Sequence, residues 1–541
     1  MAYNILIING KIVDGSGNPW YWGDVAIKGD KISLIGKFSE SKADRVIDAE
    51  GLVITPGFVD AHSHSDMQTL VYREMESTLM QGITTVVAGQ CGSSLAPVNP
   101  NLRDILEKQA NSWLPPEIHM KFSWTTFDEY LNEEEKKPLG ANIAHLVGHG
   151  AIREAGMGLE ARAPTGKELR KMKGLAEEAM EAGAYGLSSG LIYPPGIFAE
   201  TKELIELSKV VARYGGIYDS HIRGEGHNLL KSVKEAIKIG EKAGIAVQIS
   251  HHKAANKAVW GKSKTTLRLI EKARARGIDV TVDQYPYQAG STSLVTLLPP
   301  WAHDGGIDEL LARLRDPKQR ERMSIDIKNG LAGWENFAGE LGWDKIMVSF
   351  IKSDKNKVFE GKTLDVIANE MKEKEVWDAL WKLILEEQGT PGMIIFSMDE
   401  KDIKRIMQSP YQMVGTDSGS VSPKGPFSRG KPHPRHYGTY PRILGKYVRE
   451  EGVMSFEEAI RKMSGFPAQR FGILDRGLIR PGMYADINLI DPEHVIDKAT
   501  FENPHQFPEG IPYVIVNGKV AVDDGKFTRN LAGQTLRKNI D

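Results

Sequence analysis

From about residue 50 to residue 290 the chain repeats one pattern: a stretch at helical spacing, a glycine, then a short apolar run that ends in polar residues. "LAEEAMEAGAYGLSSG", "LSKVVARYGGIYDSHIRGEG", "KEAIKIGEKAGIAVQISHHK" and "LIEKARARGIDVTVDQYPY" are clear copies. Glycine suits the left-handed position that closes a helix. The run after it is rich in Ile, Val and Tyr, as a strand buried on both faces should be. Helices alternating with such strands imply parallel strands joined by right-handed crossovers.

The runs are "VITPGFVDAHSH", "GITTVVAGQCG", "ANIAHLVGHG", "AYGLSSG", "GIYDSHIR", "IAVQISHH", "IDVTVDQYPY" and, much later, "YQMVGTDSG". Eight of them favour a closed (β/α)8 TIM-like barrel over an open doubly wound sheet. The span of about 300–395 before the last run contains helical segments such as "LDVIANEMKEKEVWDALWKLILEEQG". An excursion that long is an inserted helical subdomain near the barrel mouth, either a lid or a packing module. The chain ends look alike: "ILIINGKIVDGSG" and "YVIVNGKVAVDDG" both read as hairpins turning at Asn-Gly. Residues 1–54 and 470–541 are therefore expected to form one small β-sandwich around a barrel of residues 55–469.

Composition narrows the setting. The hydrophobic share of 41% fills a substantial core, and a net charge of −2 gives no reason to expect nucleic acid or an anionic membrane as partner. A single cysteine excludes an internal disulfide and fits a reducing compartment. The N-terminus lacks the pattern of a signal peptide and no apolar run is long enough to span a membrane, so a soluble cytoplasmic protein is expected.

Barrel chemistry stands at the C-terminal ends of the strands. There the sequence offers His62 and His64 on the first, Cys91 on the second, His221 on the fifth, His251 on the sixth and Asp417 on the eighth. His62 and His64 are two apart, so both imidazoles point to one side of a strand and can grip one ion. In "ISHHK" alternation lets only one histidine face the axis, and His251 is the choice over His252. The thiolate of Cys91 is a soft ligand suited to Zn2+. A buried apolar residue and a histidine-activated nucleophile are the competing readings.

These residues, with "PGFVDAHSHSD", "AGQCGSS", "GLSSGLIYPPG", "SHIRGEG", "SHHKA", "DQYPYQAGST", "GTDSG" and "PHPRHYGTYPR", make nearly the whole chain resemble the D-aminoacylase (N-acyl-D-amino-acid deacylase) family of the amidohydrolase superfamily. Hydantoinases and dihydroorotases typically bridge two metals with a carboxylated lysine on strand four. The strand here, "GAYGLSSGLIY", has no lysine, and Cys91 is the corresponding ligand in proteins similar to this one. The resemblance implies a tight Zn2+ site of Cys91, His221 and His251, and a second, weaker site of His62, His64 and Asp417. It also implies substrate contacts from Arg223, Lys253, Tyr285 and Ser291. Arg suits paired hydrogen bonds to the free carboxylate of an N-acyl amino acid. His433 and His436 are candidate groups behind the site.

The implied reaction is zinc-dependent amide hydrolysis of an N-acyl-D-amino acid, a small-molecule substrate. Asp417 takes a proton from the attacking water and returns it to the leaving amine. Tyr285 helps the oxyanion. The preference for D-substrates comes from the resemblance alone. The rival readings are another amidohydrolase activity on a cyclic amide or unusual dipeptide, a thiol hydrolase using Cys91, and a non-catalytic scaffold.

Overall fold

The computed structural model describes residues 3–38 and 42–539. The outermost residues of both terminal segments and positions 39–41 of the expected sandwich lie outside it. Eight parallel barrel strands are present: Phe58–Asp60, Ile83–Ala88, Asn142–His145 continuing as Val147–Gly148, Gly186–Gly190, Ile217–His221, Ala246–Ile249, Val280–Gln284 and Gln412–Val414. Strand one pairs with strand two, and strand seven with strand eight, both in parallel. The seam between strands one and eight is closed by Ala61 N–H to Val414 O (3.2 Å) and Asp417 N–H to His62 O (2.8 Å). Tyr440 spans it, its hydroxyl donating to Val59 O and Val414 O. The closed barrel thus prevails over the open sheet.

Alternation along the strands divides the two faces. Tyr218, Val247, Ile249 and Val282 pack outward among helix residues such as Leu207, Val233 and Ile270. The intervening Asp219, Gln248 and Asp283 are fully buried, and Gln248 Nε2 donates to Asp283 Oδ2 at 2.8 Å. The barrel floor beneath the mouth is therefore polar and hydrogen-bonded.

The two chain ends build one nine-stranded sheet. Tyr3–Ile12, Tyr21–Lys28, Lys31–Gly36, Ala43–Asp48 and Val53–Pro56 join Ile487–Ile490, Tyr513–Val516, Lys519–Asp523 and Lys526–Phe527. Isoleucines from both ends, Ile7, Ile27, Ile487 and Ile515, share its core. The twin Asn-Gly pairs serve different purposes. Asn517-Gly518 makes the expected tight turn, with Val516 paired to Lys519. Asn9-Gly10 makes no hairpin. Tyr3–Ile12 is a single strand with a bulge there, because residues on both sides of it pair with the same neighbour, Tyr21–Lys28. Gly10 is needed for packing, since a Cβ would overlap Ile54.

Two features depart from the expected organisation. The helical insertion also carries an antiparallel sheet of Ala289–Ser293, Ile346–Phe350 and Gly392–Phe396, over which helices such as Val376–Glu386 share a core with Ile346, Val348 and Met393. Its first strand precedes the expected span. At the C-terminus, Thr535–Leu536 leaves the terminal sheet and pairs in parallel with barrel residues Ile143 and Ala144. No helix among the described residues is long and apolar enough to cross a membrane.

A buried polar network couples the terminal sheet to barrel strand three. Asp486 pairs with Arg476 and accepts Asn517 N–H at 2.7 Å. Asn517 Nδ2 donates to Asn142 Oδ1 at 2.8 Å. Asp486→Ala leaves the Arg476 charge buried without its partner, which costs about 3–5 kcal/mol. Urea unfolding should show that loss; a change below about 1 kcal/mol would mean the network does not couple the two parts.

Candidate metal centre and active site

Three residues at the mouth depart from strand geometry. Cys91, His251 and Asp417 have φ of 53°, 32° and 52°. Non-glycine residues enter this left-handed region at a cost of about 1–2 kcal/mol. Here it turns their side chains off the alternating track of the strand. Small neighbours permit it: a Cβ on Gly190 would overlap the carbonyl oxygen of Cys91, and one on Gly415 would lie 2.7 Å from His62 Cβ.

The result is a tight cluster. Cys91 Sγ lies 3.4 Å from His62 Nε2, 3.6 Å from His221 Nδ1 and 3.5 Å from His251 Nε2. Asp417 Oδ1 lies 3.6 Å from His62 Nε2 and 3.2 Å from His64 Nε2. One donor atom each from His62, Cys91, His251 and Asp417 falls within 4.8 Å of the others. These spacings fit an ion. Zn–S of about 2.3 Å and Zn–N of about 2.05 Å at a tetrahedral angle put sulfur and nitrogen about 3.6 Å apart. The expected division into two ligand triads is less sharp than the sequence implied, since Cys91 stands as close to His62 as to His221 and His251.

Carboxylates back the imidazoles, the arrangement that orients a ligating histidine. Asp283 Oδ1 is 3.4 Å from His62 Nδ1 and accepts His251 N–H at 2.7 Å. Glu225 Oε1 is 3.1 Å from His251 Nδ1. Asp60 accepts Thr416 N–H and His62 N–H, tying the two strands that supply His62 and Asp417. His62 Nδ1 and His221 Nε2 are buried without a hydrogen bond among the described residues.

The site is strongly charged. Burial would push the Cys91 thiol up, but the positive charge of His62 and His251, with hydrogen bonds from His221 and His251, brings it well below the usual thiol range. Burial also opposes ionisation of Asp417, and Arg435, then His251 and His64, hold it well below the usual carboxylate range. His64, against the desolvation that would lower it, is raised to about 9 by Asp417 and Cys91.

The expected substrate residues divide. Lys253 is buried, with Nζ 2.6 Å from both Glu225 Oε1 and His251 Nδ1. Tyr285 is buried beneath Arg435, whose guanidinium lies 4.8 Å from the ring centroid. Ser291 donates its hydroxyl to Met393 O and offers its carbonyl to Arg435 Nη2 at 3.3 Å. Arg223 needs correction as a carboxylate binder. Its guanidinium makes four hydrogen bonds, two to Glu235 and one each to Ile197 O and Ala199 O. A second guanidinium, that of Arg435, is buried 2.7 Å from Asp417 Oδ2, and its Nε has no hydrogen-bond partner among the described residues. His433 accepts Arg435 N–H at Nδ1, and His436 bonds Gly419 O, so both fix the start of the helix Arg435–Arg442 that carries the guanidinium. His252 turns away to Thr266 Oγ1. Arg435, Glu225, Asp283 and Tyr193, whose ring packs edge-on against His221, were not singled out from sequence. Their signal lay in the quoted motifs "PHPRHYG", "RGEG", "DQYPY" and "LIYPPG".

Comparison with known proteins identifies the family. The amidohydrolase family matches residues 45–290 and 387–522, and the gap falls on the insertion. The chain is 35% identical to D-aminoacylase of Alcaligenes xylosoxydans xylosoxydans, over 99% of this chain and 98% of that protein. It is equally identical to N-acyl-D-glutamate deacylase of the same organism, over 95% and 93%. The crystal structure of N-acyl-D-glutamate deacylase from Bordetella bronchiseptica, complexed with zinc and a phosphonate mimic of the tetrahedral intermediate, superposes with a TM-score of 0.81 at 32% identity, covering 99% of this chain and 100% of that one. A D-aminoacylase structure with a binuclear metal centre gives the same score at 34% identity and the same coverage. This chain belongs to the amidohydrolase family, as a D-aminoacylase-like member.

Proposed function

We propose that this protein is a zinc-dependent deacylase that hydrolyses N-acyl-D-amino acids to a carboxylate and a free D-amino acid. The observation that carries the reading is the thiol of Cys91 set 3.4–3.6 Å from three imidazole nitrogens, with Asp417 alongside. The named activities of the relatives support the substrate class and its handedness.

Cys91, His221 and His251 would hold the tighter ion, and His62, His64 and Asp417 a weaker one. Bound zinc supplies Lewis acidity and a nucleophile at neutral pH. The chain supplies the rest. Asp417 accepts the proton of the attacking water and delivers it to the departing amine. Arg435 takes the substrate carboxylate through paired hydrogen bonds, steadied by the Tyr285 ring and the Ser291 carbonyl. The same guanidinium holds Asp417 Oδ2, so engaging the carboxylate loosens its grip on the proton carrier. Lys253 keeps Glu225 and His251 in register.

Metal analysis with a screen of paired N-acetyl-D- and N-acetyl-L-amino acids tests the whole. Zinc-loaded protein should turn over the D-series, lose activity to a chelator and regain it with zinc. Zinc-loaded protein inert toward every D-substrate would end the proposal. Asp417→Asn should keep zinc at the tighter site and lose about 10²–10⁴ in kcat; near-normal turnover removes Asp417 from the proton path. Arg435→Ala should raise KM at least about tenfold for an N-acyl-D-amino acid and little for its amide; an equal loss for both rules out carboxylate recognition. Asp283→Asn should weaken zinc binding about 10–100-fold in a chelator competition, and unchanged affinity would show that Asp283 does not orient a ligand.

A further inference from the structure

A cavity of about 100 Å³ adjoins Cys91 across the mouth from Arg435. Cys91 and Tyr193 line it together with the apolar Leu95, Leu106, Ala110, Trp113 and Phe122, and the polar Ser94, Gln109 and Glu154 also face it. The lining comes mainly from segments following barrel strands two, three and four, with Met67 added from beyond strand one. Arg435, Tyr285 and Ser291 stand at strands seven and eight and on the insertion. In an eight-stranded ring those two groups face each other. A substrate whose carboxylate is held by Arg435 and whose amide lies at the cluster must send its acyl tail toward this cavity.

We propose that the cavity is an acyl pocket, selecting an unbranched apolar acyl group longer than acetyl. The inference rests on the deacylase reading above and adds the acyl class to it. Size sets the length. A cavity of about 150 Å³ holds the six carbons of benzene, so one of about 100 Å³ takes about four carbons beyond the carbonyl carbon, a pentanoyl group. The one carboxyl in its wall is Glu154, which burial alone pushes up to about 7. Where ionised, that group repels an acidic tail.

The test compares N-acetyl-, N-pentanoyl- and N-succinyl-D-amino acids sharing one side chain, with the zinc-loaded full chain. Each methylene buried favours the longer tail severalfold, so kcat/KM for pentanoyl should exceed acetyl by about tenfold or more, and succinyl should fall below acetyl. Ala110→Phe fills the cavity and should abolish the pentanoyl advantage while acetyl turnover persists. Should that variant not fold, Leu106→Ala enlarges the cavity and should move the optimum to a longer chain. A flat or falling chain-length profile in the unaltered protein, or a pentanoyl advantage surviving in folded Ala110→Phe, overturns the proposal. Calorimetry with pentanoate against acetate reads the pocket without turnover. Tighter pentanoate binding that disappears in Ala110→Phe supports it even if no D-substrate is hydrolysed, and equal binding of the two acids defeats it. Absence of deacylation by itself speaks only against the underlying reading.

Discussion

The site rests on one constraint: donors from five different strands must reach one point within a few ångströms. Ideal strands do not supply this, because their side chains alternate and stand apart. The chain meets it by placing Cys91, His251 and Asp417 in left-handed conformations at the strand ends. Such residues persist only where the surroundings over-determine them. Here the surroundings are glycine contacts above and a polar floor below, with Asp60 bonded to Thr416 beyond strand eight and Gln248 of strand six bonded to Asp283 of strand seven. A buried thiol and a buried carboxylate held as anions gain most when a cation shares their space, since an unpaired buried charge costs several kcal/mol.

Much of this was legible in the chain. The recurring helix–glycine–strand pattern marks most of the barrel strands, though not the first or the eighth, and polar residues at the strand ends mark the mouth. His251 meets Cys91 and His252 goes to Thr266, yet alternation continued from Ile249 would turn His251 outward, and its left-handed φ is what brings it to the mouth. What stayed hidden depends on partners distant in sequence. Arg223 sits in a motif beside His221, yet Glu235 on the following helix neutralises it. Arg435 opens the helix Arg435–Arg442 after a Gly- and Pro-rich loop with no periodicity, and only folding brings it to Asp417. Ala289–Ser293 lacks the apolar alternation of a strand because it lies beside the mouth and is half-buried. The Asn-Gly pair at residue 9 mimics a turn because a bulge and a tight turn both need positive φ.

The insertion is joined to the site at two places. Glu335 accepts Glu225 N–H at 2.8 Å, and Glu340 pairs with His227 at 2.9 Å, so the loop after strand five is clamped from above. Glu225 in turn backs His251. On the opposite side, the carbonyl of Ser291 on the insertion's first strand accepts from Arg435. The insertion therefore helps to set both the metal-side carboxylate and the substrate-side guanidinium.

The same contacts weigh against Cys91 as a nucleophile. A catalytic thiolate needs one activating base and an open face toward the carbonyl it attacks. Cys91 is buried, and its sulfur faces ring nitrogens from strands one, five and six at nearly equal distances. A single base would account for one of those contacts and leave the other two imidazoles without a purpose. His62 Nδ1 faces Asp283 at 3.4 Å, and His251 Nδ1 faces Glu225 at 3.1 Å and the Lys253 ammonium at 2.6 Å, while the Nε2 atoms of both rings turn to the sulfur. Imidazoles oriented in this way, from separate strands, are arranged to share one central partner. A metal ion uses all of them at once, whereas attack by sulfur on an amide uses one.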